Sequence, residues 1–129
     1  MQAETFYRRV MLEARRADLE DARRATASVF HALRDRLTAD EAGQVAAQLP
    51  AELKRLWTGA EIPGRRPLKM DRDAFFERVR RETAQASLNE ARAVVRAVFA
   101  ALQDQLSQGE ADDVLAQLPK DLKAVWRGV

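Results

Sequence analysis

The sequence predicts an all-α protein in which a four-helix unit occurs twice, so that about eight helices form one compact domain with pseudo-two-fold symmetry. A shift of 69 positions aligns Ala47-Gln48-Leu49-Pro50 with Ala116-Gln117-Leu118-Pro119 without a gap, and aligns Trp57 with Trp126. Apolar residues recur at helical spacing, and no segment alternates as a strand does. Each half has roughly 60 residues, a marginal size for independent folding, so we expect the halves to share one core.

The chain divides into a first helical repeat over residues 1–57, a linker over 58–69 and a second repeat over 70–129. The linker contains two prolines and two glycines, which disfavour regular structure. We interpret the two repeats as parts of one shared domain.

The helix boundaries of the first repeat follow from caps and prolines. Asp18 is a good N-cap for the second helix. Thr38 and Glu41 form a capping box for the third, in which the glutamate side chain is expected to bond back to the Thr38 N–H. Pro50 suits the first turn of the fourth. The predicted helices span residues 3–16, 19–37, 39–48 and 50–57.

The second repeat follows the same plan. Its first helix is predicted over residues 72–86. A capping box at Ser87 opens a helix through Leu106, and a box formed by Ser107 and Glu110 opens a helix through Gln117. The last helix is predicted from Pro119 to Trp126.

The helix order and the repeated motifs Phe-x-x-x-Val, Glu-Ala, Ala-Gln-Leu-Pro and Leu-x-x-x-Trp resemble a bacterial family, Domain of Unknown Function 2267. The resemblance covers essentially the whole chain in both repeats. It implies an all-helical protein of bacterial type. It transfers no catalytic residues, because the family has no established activity.

Composition and charge exclude several classes of protein. The net charge of +2, from 22 Lys/Arg and 20 Asp/Glu, is too small to give the positive electrostatic potential of a dedicated nucleic-acid binder. The sequence has no cysteine, which excludes disulfides and thiol catalysis. The longest apolar run, residues 93–102, is shorter than the roughly 20 residues that span a bilayer. Charged residues near the N-terminus argue against a signal peptide. We therefore expect a soluble, cytoplasmic protein with no membrane association.

No catalytic, cofactor or metal site is predicted. His31 is the single histidine, and Asp35 lies one helical turn away, where it would orient a general base. The preferred interpretation is a solvated helix-face residue, since position 100 in the second repeat is alanine. Glu41 and Glu110 are interpreted as helix caps rather than metal ligands.

Two matched pairs of residues are candidates for partner binding. Gln48 and Gln117 precede Leu-Pro in both repeats and are candidates to bind a ligand or partner. The preferred alternative is structural, in which the amide bonds to a carbonyl that proline leaves without a donor. Trp57 and Trp126 are candidate hot spots for a partner. The alternative, again preferred, is that they close the core where the repeats meet.

Several arginine pairs suggest phosphate binding, but acidic residues are interspersed and aromatic residues are not positioned for base stacking. Most of these arginines are interpreted as solvated helix faces. Arg65, Arg66 and Lys69 in the linker are the best candidates for phosphate contact.

These patterns favour a non-enzymatic helical interaction or scaffold module that docks a protein partner or another copy of itself. Weak nucleic-acid binding through the arginine faces and the linker is the first alternative. Small-molecule binding or enzymatic activity between the repeats, near Gln48 and Gln117, is the second.

Overall fold

The computed structural model describes residues 2–128. Within that range the chain forms eight α-helices and no β-strand, which confirms the predicted all-α fold. In the same residues, no helix combines the length and the apolar character needed to cross a membrane. The helices are α1 (Gln2–Glu13), α2 (Leu19–Arg36), α3 (Ala39–Gln48), α4 (Ala51–Thr58), α5 (Arg72–Glu82), α6 (Leu88–Gln103), α7 (Gln108–Gln117) and α8 (Lys120–Trp126).

The two long helices, α2 and α6, lie at the centre of the fold. Helix α1 packs against α2 and α6, and α5 packs against α6 and α2. Helices α2 and α6 contact each other, and so do α3 and α7. Helix α4 packs on α2 and α3, while α8 packs on α6 and α7. Buried apolar side chains from all eight helices form one core, so the two halves share a hydrophobic interior.

Aromatic side chains form two edge-to-face rows in this core, one in each half. Neighbouring ring centroids in a row lie 5.1–5.7 Å apart, a favourable spacing for aromatic pairs. The rows consist of Phe6, Phe30 and Trp57, and of Phe75, Phe99 and Trp126. Each residue of the first row lies 69 positions before its counterpart in the second row.

The first helix of each half ends earlier than predicted, α1 at Glu13 and α5 at Glu82. Arg15 and Ala84 adopt the left-handed conformation, with φ of 54° at both. The next N–H in each case bonds to a carbonyl five residues back, at 2.8 and 2.9 Å. These bonds close the helix in the way a C-terminal glycine usually does. The helix ends were mispredicted because no glycine marks them.

The other boundary differences are small. Pro50 and Pro119 lie just before their helices rather than in the first turn, because both have an extended ψ of 159°. Helix α6 ends at Gln103 rather than at Leu106. There the N–H groups of residues 105 and 106 bond three residues back, which tightens the chain after the helix.

The linker, residues 59–71 in the structure, lies against the C-terminal end of α2. The Arg65 guanidinium donates to the carbonyls of Leu37 and Arg34 at 2.8 and 2.7 Å. The Leu68 N–H donates to the Asp35 carbonyl at 2.8 Å. Carbonyls in the last turn of a helix lack helical donors, and the linker supplies them. The linker is therefore anchored to the end of α2 at Arg65 and Leu68.

Candidate functional site between the third helices

The contact between α3 and α7, called the seam below, brings together polar residues from both halves. Thr38 and Ser107 are the N-caps of the two helices, and a glutamate follows three residues after each. A glutamine is the last residue of each helix. The seam residues are Thr38, Glu41, Gln48, Ser107, Glu110 and Gln117.

Gln48 and Gln117 each cap the helix of the other half. The Gln48 Oε1 accepts the Ser107 N–H at 2.7 Å, and its Nε2 donates to the Ser107 Oγ at 3.2 Å. Gln117 makes the same two bonds to Thr38, at 2.9 and 3.3 Å. The predicted bond to a carbonyl near the proline is therefore wrong. Both amides hold the halves together across the seam.

These glutamine bonds change the predicted capping boxes. The Thr38 and Ser107 side chains do accept the N–H groups of Glu41 and Glu110, at 3.2 and 3.1 Å. The return bond from the glutamates is absent, since Gln117 and Gln48 already occupy the N–H groups of the cap residues. The glutamate side chains are left free to meet between the two helices.

Glu41 and Glu110 form a buried acid pair. They are 8% and 6% exposed, and the Oε2 atom of each is buried and receives no hydrogen bond from a donor in residues 2–128. The pKa of Glu110 is raised to about 8, first by burial and then by hydrogen bonding with Glu41 and by the charges of Glu41 and Asp113.

Trp57 and Trp126 lie in the core, 0% and 4% exposed. The Trp57 Nε1 donates to the Ala42 carbonyl at 3.0 Å. Each ring packs against a phenylalanine of its own half, rather than across the boundary between the halves. The hypothesis of surface hot spots is therefore wrong, because neither ring is available to a partner.

The three linker residues proposed for phosphate contact separate into two groups. The Arg65 side chain is only 9% exposed and bonds to α2 carbonyls and to Glu61, so its assignment to phosphate is wrong. Arg66 and Lys69 are exposed. Only these two keep a solvent-facing charge.

A model of the uncharacterized conserved protein family DUF2267 matches residues 3–125. The chain belongs to this family. A search of curated proteins finds no match. In this DUF2267 chain the residues conspicuous in sequence, the paired tryptophans and glutamines, have defined structural partners.

His31 is partly buried in this DUF2267 chain and is not the solvated residue expected. Its Nε2 donates to the Leu56 carbonyl at 2.8 Å, and burial lowers its pKa. Asp35 bonds instead to Arg34 and Arg78, at 3.0 Å each. Asp35 therefore does not orient His31 as a general base. His31 instead lines a surface cleft of about 350 Å³.

Sequence reasoning missed the acid pair of the DUF2267 chain. The available signal was a glutamate three residues after each N-cap, at equivalent positions of two helices. Local rules assign such a glutamate to its own cap. Only the contact between α3 and α7 shows that two glutamines replace the glutamates in that role.

Replacing Gln48 or Gln117 by alanine is expected to lower the free energy of unfolding of the DUF2267 chain by about 1 kcal/mol each. Each change removes two hydrogen bonds at an exposed helix end, where water partly replaces them. Urea denaturation followed by circular dichroism measures the loss. Gln44→Ala, an exposed change on α3, is the control and is expected to be neutral. Losses no larger than that of the control would contradict a capping role.

Proposed function

We propose that this DUF2267 chain is a non-enzymatic helical module that binds a protein partner through its linker. The tryptophans and glutamines that recur in both repeats already have partners within the molecule. The tryptophans are buried in the core, and the glutamines form hydrogen bonds across the seam. A partner would therefore meet the outer surface. The cysteine-free composition is compatible with a cytoplasmic location, which is part of the proposal.

The observation that carries the proposal is an anchored loop that presents apolar side chains to solvent. Ile62 and Leu68 are 71% and 51% exposed, although the linker backbone is held by Arg65 and by the Leu68 N–H. An ordered segment loses little entropy when it binds. Exposed apolar residues on such a segment are suited to bury area against a partner.

The charge of the linker indicates the chemistry of the partner. Arg66 and Lys69 are exposed beside Leu68, while the carboxylate of Glu61 is paired with Arg65 at 3.2 Å. Because Asp71 is the one exposed acidic residue of the linker, the net exposed charge of the linker is positive. An acidic segment with apolar side chains would complement this surface in both charge and polarity.

The proposal is tested with the double variant Ile62→Ser, Leu68→Ser. We expect the immobilised wild-type chain to retain a protein from a lysate of the source organism, and the double variant to lose it. Light scattering shows whether the bound partner is another copy. Leu12→Ser is the matched control, since Leu12 is 68% exposed on α1, and it is expected to keep the partner.

Two results would overturn the proposal. One is a strict monomer that retains no protein, and the other is retention that the linker variant leaves unchanged. A gel-shift assay with nucleic acid at low salt tests the alternative of nucleic-acid binding. Binding that is lost in Arg66→Ser, Lys69→Ser and that falls steeply with salt would assign the linker to phosphate instead.

A further inference from the structure

The seam contains three carboxyl groups that converge on one point. Glu41, Glu110 and Asp113 each place an oxygen so that all three atoms lie within 4.8 Å of one another. Two of these residues are more than nine-tenths buried, whereas Asp113 is exposed. The arrangement therefore combines two buried carboxyl groups with one exposed carboxyl group.

The buried carboxyl groups have unused hydrogen-bonding capacity. The Oε2 atoms of Glu41 and Glu110 are buried, and no donor of residues 2–128 reaches them. A buried polar atom without a partner is rare in native proteins and calls for an explanation. An acceptor oxygen in this position is suited to a positively charged ligand.

No basic side chain neutralises the cluster. In the described part of the chain, none of the three carboxyl groups forms an ion pair with lysine, arginine or histidine. The partly buried Asp35, by contrast, bonds to Arg34 and Arg78 at 3.0 Å each. The seam thus concentrates carboxyl groups that no basic side chain of residues 2–128 pairs with.

We propose that Glu41, Glu110 and Asp113 bind a divalent cation that links α3 to α7. The ligand atoms are all carboxylate oxygens, with no nitrogen or sulfur ligand, which selects hard cations such as Ca²⁺, Mg²⁺ and Mn²⁺. Water completes the coordination on the side of Asp113. The cation neutralises the buried pair and ties the first half of the chain to the second. This site is separate from the linker and does not depend on the proposed partner.

The test uses the full chain, freed of metal with a chelator and dialysed at pH 8.5, where protons compete least for the carboxylates. Calorimetric titration with CaCl₂, MgCl₂ or MnCl₂ is expected to show one site per chain for at least one of these salts. A saturating concentration is expected to raise Tm by about 5 °C or more.

Variants identify the ligands. Glu110→Gln is expected to abolish binding, and Asp113→Asn is expected to weaken it by about tenfold or more. Asp113 is exposed, so its variant is expected to fold even if a change at Glu110 disturbs the seam. Asp112→Asn, an exposed neighbour on α7, is the control and is expected to bind like the wild type.

Two outcomes would overturn the proposal. The first is the absence of saturable binding of all three cations up to millimolar concentration, in which case the pair holds a proton only. The second is cation binding that neither Asp113→Asn nor Glu110→Gln changes, which would place the cation elsewhere on the acidic surface.

Discussion

Replacing Trp57 by alanine is expected to lower the free energy of unfolding by about 4 kcal/mol, the cost typical of a large-to-small change at a buried aromatic residue. Trp57 is 0% exposed, and its ring centroid lies 5.4 Å from that of Phe30. Its removal leaves a cavity between α2 and α4 and deprives the Ala42 carbonyl of the indole donor. Urea denaturation monitored by circular dichroism measures the change.

Trp126→Ala is the matched comparison for this prediction. The centroid of its ring lies 5.1 Å from that of Phe99, so the aromatic packing lost is similar to that lost in Trp57→Ala. Within residues 2–128, its indole N–H makes no hydrogen bond such as that of Trp57. We therefore expect Trp126→Ala to cost about 1 kcal/mol less than Trp57→Ala. A cost below 1 kcal/mol for Trp57→Ala would contradict its role in the core.

In the presence of a chelator, the stability of the wild type is expected to fall as the pH rises from 5 to 9, because of Glu110. The folded-state pKa of Glu110, about 8, lies above its ordinary value of 4.5, so the folded state keeps a proton that the unfolded state releases. The contribution of this proton is fully present below about pH 4.5 and is lost as the pH passes through 8. A pKa shift from 4.5 to about 8 corresponds to a loss of at most about 5 kcal/mol.

Glu110→Gln isolates this effect, because the amide keeps the shape of the side chain and does not titrate. Its unfolding free energy is expected to depend much less on pH than that of the wild type over the same interval. Glu20→Gln, an exposed change on α2, is expected to follow the wild type. Parallel curves for the wild type and Glu110→Gln would show that the pair does not hold a proton in this range.

The sequence was sufficient to predict the structural features that depend on residues close together in the chain. The positions of the eight helices follow from apolar periodicity and from caps such as Asp18, whose side chain accepts the Asp21 N–H at 2.8 Å. The places where local rules failed are equally informative. Arg15 and Ala84 end their helices in a left-handed conformation that only tertiary packing specifies, since neither residue favours it.

The candidate site was less accessible to sequence reasoning because its hydrogen bonds join distant residues. Gln117 bonds to Thr38 and Gln48 to Ser107, so no local window contains both partners. Arg65 was predicted to contact phosphate, yet it bonds to carbonyls at the end of α2. In both cases the bonding partner depends on tertiary packing.

The reciprocity of the glutamine caps has a consequence for assembly. Each half satisfies polar groups that the other half leaves open, and nothing in these bonds requires the two halves to belong to the same molecule. In this structure the halves of one chain meet each other, and Arg65 holds the linker between them against the end of α2. A chain with a linker too short to fold back would satisfy the same bonds by exchanging halves with a second copy. The result would be a domain-swapped dimer containing two seams.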